Sequence, residues 1–263
     1  MKKLFISLAI IAGISLSGCN DSFLEKSPVT DLTEENAFNS YDNFKAFMWP
    51  CYEMFTNNTI RTSLQGFGQD GQYKGDMAAG YFQQKYESGY NEFAYQTVAS
   101  VASGNGWDFK SFIRRVNIML SHIDNSSMTE AQKDHWRAVG YFFHSFWYME
   151  LIDRFGDVPW VDQVLQEDSP EAYGPRVDRK TVADKVLERL QWAEQNIGNF
   201  TSQDGDNTIN QDCVRAVISR FGLREGTWRK YHELGDAEKY LQECVRASEL
   251  LMAAYPTLYT CLL

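Results

Sequence analysis

The stretch that decides the fold is residues 129–160, TEAQKDHWRAVGYFFHSFWYMELIDRFGDVPW. Thr129 and Gln132 match a capping box, which predicts a helix that begins there and runs to about Arg154. Between residues 136 and 152, aromatic and aliphatic side chains occupy nearly every face of this helix. A helix that is apolar on all sides lies in the centre of a helical assembly, so we expect this segment to form the core.

Helical spacing of apolar residues continues on both sides of the core helix. It predicts further helices over residues 41–56, 107–124, 181–197, 211–226 and 236–254. Pro50 should kink or shorten the first of them, and no segment between 107 and 254 alternates with a period of two. The pairs begin near 107, 181 and 211–236, so the sequence predicts an all-α fold of antiparallel pairs stacked into an α-solenoid with a degenerate repeat.

Residues 57–105 differ from the rest of the chain. They are rich in Gly, Gln, Asn and Tyr and poor in Leu and Ile, and they show only weak helical periodicity. A segment of this length within a compact domain is usually a functional surface excursion. We therefore predict a long loop-rich insertion in the helical domain.

Charge and hydropathy exclude two classes of protein. The 25 basic and 35 acidic residues give a net charge of −10 and contain no cluster of Lys and Arg, so nucleic acid is not an expected partner. The mean hydropathy of −0.42 and the presence of only one short apolar segment exclude a polytopic membrane protein.

That apolar segment is at the amino terminus. Two lysines precede apolar residues 4–16, and Leu16-Ser17-Gly18-Cys19 follows with the small residues and cysteine of a bacterial lipobox. We interpret residues 1–18 as a lipoprotein signal peptide, Cys19 as the lipidated residue, 19–30 as a tether and 31–263 as the helical domain. The alternative is an ordinary secretory signal in which Cys19 is incidental.

The other chemically versatile residues form no recognisable motif. Cys213 and Cys244 are either small buried hydrophobes or a disulfide in an oxidising compartment, and no CxxC spacing or histidine pair suggests a metal site. No nucleophile or dinucleotide motif supports an enzyme, and we expect no cofactor. A glycosidase needs two carboxylates at a defined separation, which a sequence cannot reveal.

Four features together resemble the SusD/RagB family of outer-membrane lipoproteins. The first is the lipobox with its acidic tether, up to Leu24…Pro28. The second is the helix Trp107…Ile113…Asn117…Leu120…Ile123, with an inward Asn, and the third is the element Arg154-Phe155-Gly156-Asp157-Val158-Pro159. The fourth is the run Pro175-Arg176, Val182…Leu187…Leu190…Ala193, Ala216…Ser219-Arg220-Phe221-Gly222-Leu223. The third, RFGDVP, is the most specific. Family members are about twice as long, so the resemblance implies that the C-terminal half is absent here.

The resemblance implies a tetratricopeptide-like scaffold without catalysis. Its implied role is to bind oligosaccharide, or peptide, at the cell exterior and deliver it to a SusC-like TonB-dependent transporter. The resemblance also implies that acylated Cys19 anchors the protein to the outer membrane, where the transporter lies. Two alternatives stay open: a structural α-solenoid lipoprotein that binds protein partners only, and a truncated inactive fragment.

The candidate ligand residues lie in the 57–105 segment. Sugar rings stack their apolar C–H faces on aromatic rings, and their hydroxyls need amide or carboxylate partners. Tyr73, Tyr81, Phe82 and Tyr90 sit among Gly, Gln, Asp and Asn with no apolar stripe beside them. The alternative for any one of these rings is packing against the scaffold.

Overall fold

The computed structural model describes residues 37–55, 110–205 and 207–257. The elements, in chain order, are α1 (Tyr41–Met48), a 3-10 helix (Trp49–Phe55), α2 (Lys110–His122), α3 (Glu130–Phe155), a 3-10 helix (Pro170–Tyr173), α4 (Arg179–Asn196), α5 (Thr201–Asp204), α6 (Gln211–Tyr231) and α7 (Ala237–Ala254). In this part of the chain, extended pairing is limited to one bridge between Val158 and Val177. The all-α prediction is confirmed, and the α-helix ends just before Pro50 as expected.

Helix α3 is the core that its sequence predicts. Thr129 Oγ1 accepts the Gln132 backbone N–H at 3.4 Å, and Gln132 Oε1 accepts the Thr129 N–H at 3.0 Å, which completes the capping box. Trp136 and Trp147 are 3% and 6% exposed, and the aromatic residues between them are almost all buried. The helix is therefore surrounded by protein along most of its length.

Successive long helices pack antiparallel to one another. Between α3 and α4, the Tyr141 ring packs edge-on against Trp192 at 5.2 Å, while Arg179, at the start of α4, lies near the end of α3. Between α6 and α7, Ser219 and Ser248 share a hydrogen bond of 2.7 Å. The stack confirms a tetratricopeptide-like solenoid, although α3 pairs mainly with α4, so one pair begins at residue 130 and not near 107.

One buried guanidinium joins three helices at the end of this stack. Arg229 of α6 is 0% exposed and donates to Glu225 at 2.8 Å, to Asp236 at 2.5 Å and to Tyr240 of α7 at 3.0 Å. It also donates to the Asp184 carboxylate of α4 at 3.2 Å. A buried charge is tolerated when it is paired and hydrogen-bonded in this way.

The RFGDVP element forms the sharp turn that connects α3 to the following loop. Gly156 adopts a φ of 69°, in the left-handed region that favours glycine. Asp157 accepts the Arg179 backbone N–H at 2.9 Å, and Val158 pairs with Val177. The motif therefore fixes the connection between two neighbouring helices of the solenoid.

Buried polar side chains hold the loop that follows this turn. Tyr148 Oη donates to the Pro159 carbonyl at 3.0 Å and accepts the Val161 N–H at 2.8 Å. His144 Nε2 donates to the Val161 carbonyl oxygen at 2.9 Å. Asn117, the predicted inward asparagine, is 1% exposed and donates to the carbonyls of Val161 and residue 163 at 3.1 and 3.0 Å.

Two predictions need correction. Helix α6 does not end near Gly226 but runs to Tyr231, because Gly226 serves close packing: a Cβ there would lie 2.7 Å from Leu241 Cδ2 of α7. Cys213 and Cys244 are both free, so the disulfide alternative is wrong. The predicted insertion at 57–105, the signal peptide and the tether lie outside the described residues.

Candidate functional site

A cleft of about 390 Å³ lies among the described residues. It lies between the end of α4, the loop that carries α5 and the first turn of α6, and His135 of α3 and Ala254 of α7 also line it. Ile197, Phe200 and Ile209 supply apolar surface, and the polar lining is Asn199, Thr201, Asp204, Thr208, Asn210, Gln211, Asp212 and Arg215. Sites for small molecules in proteins commonly have this size and mixed character.

Local sequence explains how the cleft is formed. Asn210 is the N-cap of α6, and its Oδ1 accepts from the Cys213 N–H at 3.0 Å. Phe200 is the N-cap of α5, and Asn199 Oδ1, one residue earlier, accepts from the Thr201 N–H at 3.2 Å. Gly198 lets the Phe200 ring fold back over the chain, since a Cβ at residue 198 would lie 2.5 Å from that ring. Short-range contacts thus shape the two stretches that line the cleft on either side of α5.

A buried carboxylate ties this loop to α1. The Asp204 side chain is 5% exposed, accepts from Tyr41 Oη at 2.5 Å and lies 3.4 Å from Lys45 Nζ. His135 Nε2 is 3.6 Å away, and Nδ1 of the same ring donates to the Gly198 carbonyl at 3.2 Å. Asp204 therefore connects three segments that are distant in the sequence.

The charge states in this cluster follow from burial. Burial and the neighbouring Asp204 raise the pKa of Tyr41 far above its usual value, so the phenol keeps its proton and acts as a donor. Burial lowers the pKa of His135 and outweighs the attraction of Asp204, so its ring is neutral at pH 7. The cluster is a network of positioned donors and acceptors.

The second carboxylate of the cleft is also engaged. Asp212 accepts from Arg215 Nη1 at 3.1 Å and from Tyr255 Oη at 2.7 Å. Arg215 in turn donates to Glu194 at 2.9 Å. With both carboxylates held by protein donors, the cleft suits the binding of a small neutral polar ligand.

The predicted site residues do not belong to this cleft. Tyr73, Tyr81, Phe82, Tyr90 and Cys19 all lie outside the described residues, so their roles stay predictions. The cleft is not recognisable in the sequence, because its Asn- and Thr-rich loop has the composition of an ordinary connection. Only the burial of the His135 and Asp204 side chains distinguishes the cleft from an ordinary loop, and their burial depends on tertiary packing.

Metal sites and membrane-spanning helices are both absent from the described residues. Over residues 37–55, 110–205 and 207–257, no group of three His, Cys, Asp or Glu side chains is placed to hold a metal ion. None of the helices in the same ranges is both long and apolar enough to cross a membrane.

Several solved structures share this fold. A SusD-like carbohydrate binding protein from Bacteroides vulgatus superposes with a TM-score of 0.61 at 16% identity, covering 85% of this chain and 47% of that one. A SusD-like protein from Bacteroides fragilis gives 0.57 at 19% identity, covering 84% and 41%. NanU, also from Bacteroides fragilis, gives 0.52 at 14% identity, covering 84% and 44%. The chain thus spans less than half the length of these structures.

A comparison at the level of sequence identifies the family. No curated protein matches the chain. The family model SusD-like, described as starch-binding and associating with the outer membrane, matches residues 22–223. Since this match covers well over half of the chain and the fold agrees with it, the chain belongs to the SusD-like family.

Proposed function

We propose that this protein is an outer-membrane lipoprotein of the cell exterior that binds oligosaccharide and delivers it to a SusC-like TonB-dependent transporter. The observation that carries the proposal is the family match over residues 22–223, whose description names starch and the outer membrane. The protein acts by binding, without catalysis. The carbohydrate-binding relative from Bacteroides vulgatus supports the same ligand class.

We place the sugar contact in the 57–105 segment, at Tyr73, Tyr81, Phe82 and Tyr90. The scaffold offers support for this placement at the two edges of the segment. Phe55, before it, packs against Phe146 at 5.3 Å, and Phe112, after it, packs against Trp147 at 5.8 Å. The described residues on either side of the segment therefore lie beside neighbouring residues of α3.

Calorimetric titration with maltoheptaose tests the ligand class and the placement together. The chain from Asn20 onward is expected to bind maltoheptaose with a Kd in the micromolar to millimolar range. This corresponds to a binding free energy of about 4–8 kcal/mol, because a few ring stacks and hydrogen bonds contribute no more than that. Tyr73→Ala, Tyr81→Ala, Phe82→Ala and Tyr90→Ala should each weaken binding, with the largest losses at rings that stack directly on sugar.

The matched control is Tyr173→Ala, because Tyr173 is 80% exposed and lies outside the segment. This variant should bind maltoheptaose as the unmodified chain does. Retained affinity in all four ring variants, with loss on Phe200→Ala, would move the site to the cleft. Absence of binding to maltoheptaose and to a broad glycan array, with capture of the transporter intact, would favour the structural solenoid.

The anchor is tested separately. Cys19→Ala should abolish incorporation of labelled fatty acid and release the protein from membranes, because the proposed acyl chains are its attachment. A variant that stays in the membrane fraction would contradict lipidation as the anchor. Copurification of the transporter with the wild-type protein tests the partner.

A further inference from the structure

The cleft beside His135 lies between two successive helical pairs of the solenoid. The α3–α4 pair contributes His135 and the end of α4, and the α6–α7 pair contributes the first turn of α6 and Ala254. A following pair in a solenoid packs on the far side of the last one. The cleft is therefore formed by the described pairs themselves and is not the surface on which a next helix would lie.

Two exposed asparagines in the wall of the cleft offer hydrogen-bond donors. Asn199 Oδ1 and Asn210 Oδ1 accept backbone N–H groups, which fixes the oxygen end of each amide. The hydrogen bonds of the described residues make no use of either amide NH2 group. Gln211 offers an acceptor, because its Nε2 donates to the Glu194 carbonyl at 2.9 Å and leaves Oε1 for another partner. The wall thus presents both donors and acceptors.

An aromatic ring lies beside these polar groups. Phe200 packs edge-on against the His135 ring at 4.7 Å and tilted against the Tyr41 ring at 5.2 Å, measured between ring centroids. It lines the cleft and stays partly exposed, so part of the ring is accessible to a ligand. An aromatic ring next to amide donors and acceptors matches a pyranose, whose C–H face is apolar and whose hydroxyls both donate and accept.

The charges in the lining favour a neutral ligand. Arg215 pairs with Glu194 at 2.9 Å and with Asp212 at 3.1 Å, and Asp204 accepts from Tyr41 with Lys45 Nζ 3.4 Å away. A charged ligand would have to compete with these pairs, whereas a neutral sugar can bind without disturbing them.

We propose that the cleft is a carbohydrate site, separate from the 57–105 segment, that binds one or two neutral pyranose units. Phe200 packs against the apolar face of a sugar, and the Nδ2 groups of Asn199 and Asn210 donate to its hydroxyl oxygens. The cleft volume of about 390 Å³ suits a ligand of this size. The inference does not depend on glycan binding by the 57–105 segment.

Saturation-transfer difference NMR with maltose, cellobiose and lactose tests the proposal. The chain from Asn20 onward should bind at least one of these disaccharides with a Kd of about 0.1–10 mM. Asn199→Asp and Asn210→Asp each keep the oxygen that accepts the backbone N–H but replace the NH2 donor. Each should weaken binding of that disaccharide by roughly fivefold, the usual contribution of one hydrogen bond.

Asn207→Asp is the matched control, because Asn207 is exposed in the same loop but does not line the cleft. It adds the same charge and should bind the disaccharide as the unmodified chain does, and thermal denaturation should show all variants equally folded. A chain that carries all four ring-to-alanine substitutions of the 57–105 segment should also keep this binding.

Four results would overturn the proposal. They are no binding of any of the three disaccharides at up to about 50 mM, an equal loss in Asn207→Asp, stronger binding of glucuronate than of every disaccharide, and loss of disaccharide binding in the chain that lacks the four rings. The last would assign the binding to the 57–105 segment, so failure of this inference and failure of the proposed function are distinguishable.

Discussion

Substitution of Gly222 by alanine should destabilise the protein, although alanine is the better helix former. Gly222 lies in the contact between α6 and α7. A Cβ there would be 2.6 Å from the Tyr240 carbonyl oxygen and 2.9 Å from the Cys244 backbone nitrogen. Backbone atoms cannot rotate away as a side chain can, so the two helices must separate.

The magnitude follows from two opposing contributions. Overpacking of a tight contact costs about 1–3 kcal/mol, and an unyielding backbone neighbour puts Gly222 at the upper end. The higher helix propensity of alanine relative to glycine offsets this loss by about 1 kcal/mol. The net loss should be about 2 kcal/mol, which lowers the Tm of a domain of this size by about 4–8 °C.

Gly140→Ala is the matched control for this measurement. Its Cβ would meet Met119 Cε at 2.6 Å and Leu120 Cδ2 at 2.9 Å, which are the ends of flexible side chains. We expect a change in unfolding free energy within about 1 kcal/mol, because rotamer changes relieve the contact. Urea denaturation followed by circular dichroism measures both variants. Equal stability of the two, or a Gly222→Ala chain more stable than wild type, would refute the reasoning.

Three further substitutions test other parts of the scaffold. Trp147→Ala should lower the free energy of unfolding by about 3–5 kcal/mol in urea denaturation, because removal of a buried indole leaves a large cavity. A melting temperature within a degree or two of wild type would contradict the central position of α3. Asn117→Ala should lower the free energy of unfolding by about 1–3 kcal/mol and speed proteolysis after residue 160, because two loop carbonyls lose their hydrogen-bond donor. An unchanged rate of cleavage would argue that Asn117 does not hold this loop. Burial would raise the pKa of Glu194, but hydrogen bonds from Arg246 and Arg215 outweigh it and hold the pKa below its usual value. The Glu194→Gln variant should therefore be less stable than wild type at pH 7. The difference in their free energies of unfolding should shrink as the pH falls below about 4.3, the usual glutamate pKa. A constant difference down to pH 3 would contradict a lowered pKa of Glu194.

Local signals made the core helix predictable. The capping box, the apolar run and the Gly156 turn each depend on residues close in sequence, and all three are confirmed in α3. The end of α6 was not predictable in the same way. Gly226 looks like a stop when read alone, and only the approach of Leu241 from another helix explains why the helix continues.

The cleft could not be predicted, because its parts come from distant segments. Tyr41, His135 and Asp204 meet only after α1, α3 and the loop before α6 have packed. None of them belongs to a recognisable motif, and a buried aspartate looks like any surface aspartate in a chain with many acidic residues. Composition marks the 57–105 segment and leaves the cleft unmarked, so the predicted ligand residues fall in that segment.

The contacts of Arg229 have a consequence for cooperativity. In a simple solenoid each hairpin opens with a free energy of its own, and the terminal one frays first. Here, opening of the first turn of α7 would remove Asp236 and Tyr240 from a fully buried guanidinium that Asp184 of α4 also holds. Amide protons in the first turn of α7 should therefore exchange with solvent at rates close to those of α4, so that α4, α6 and α7 unfold as a single unit.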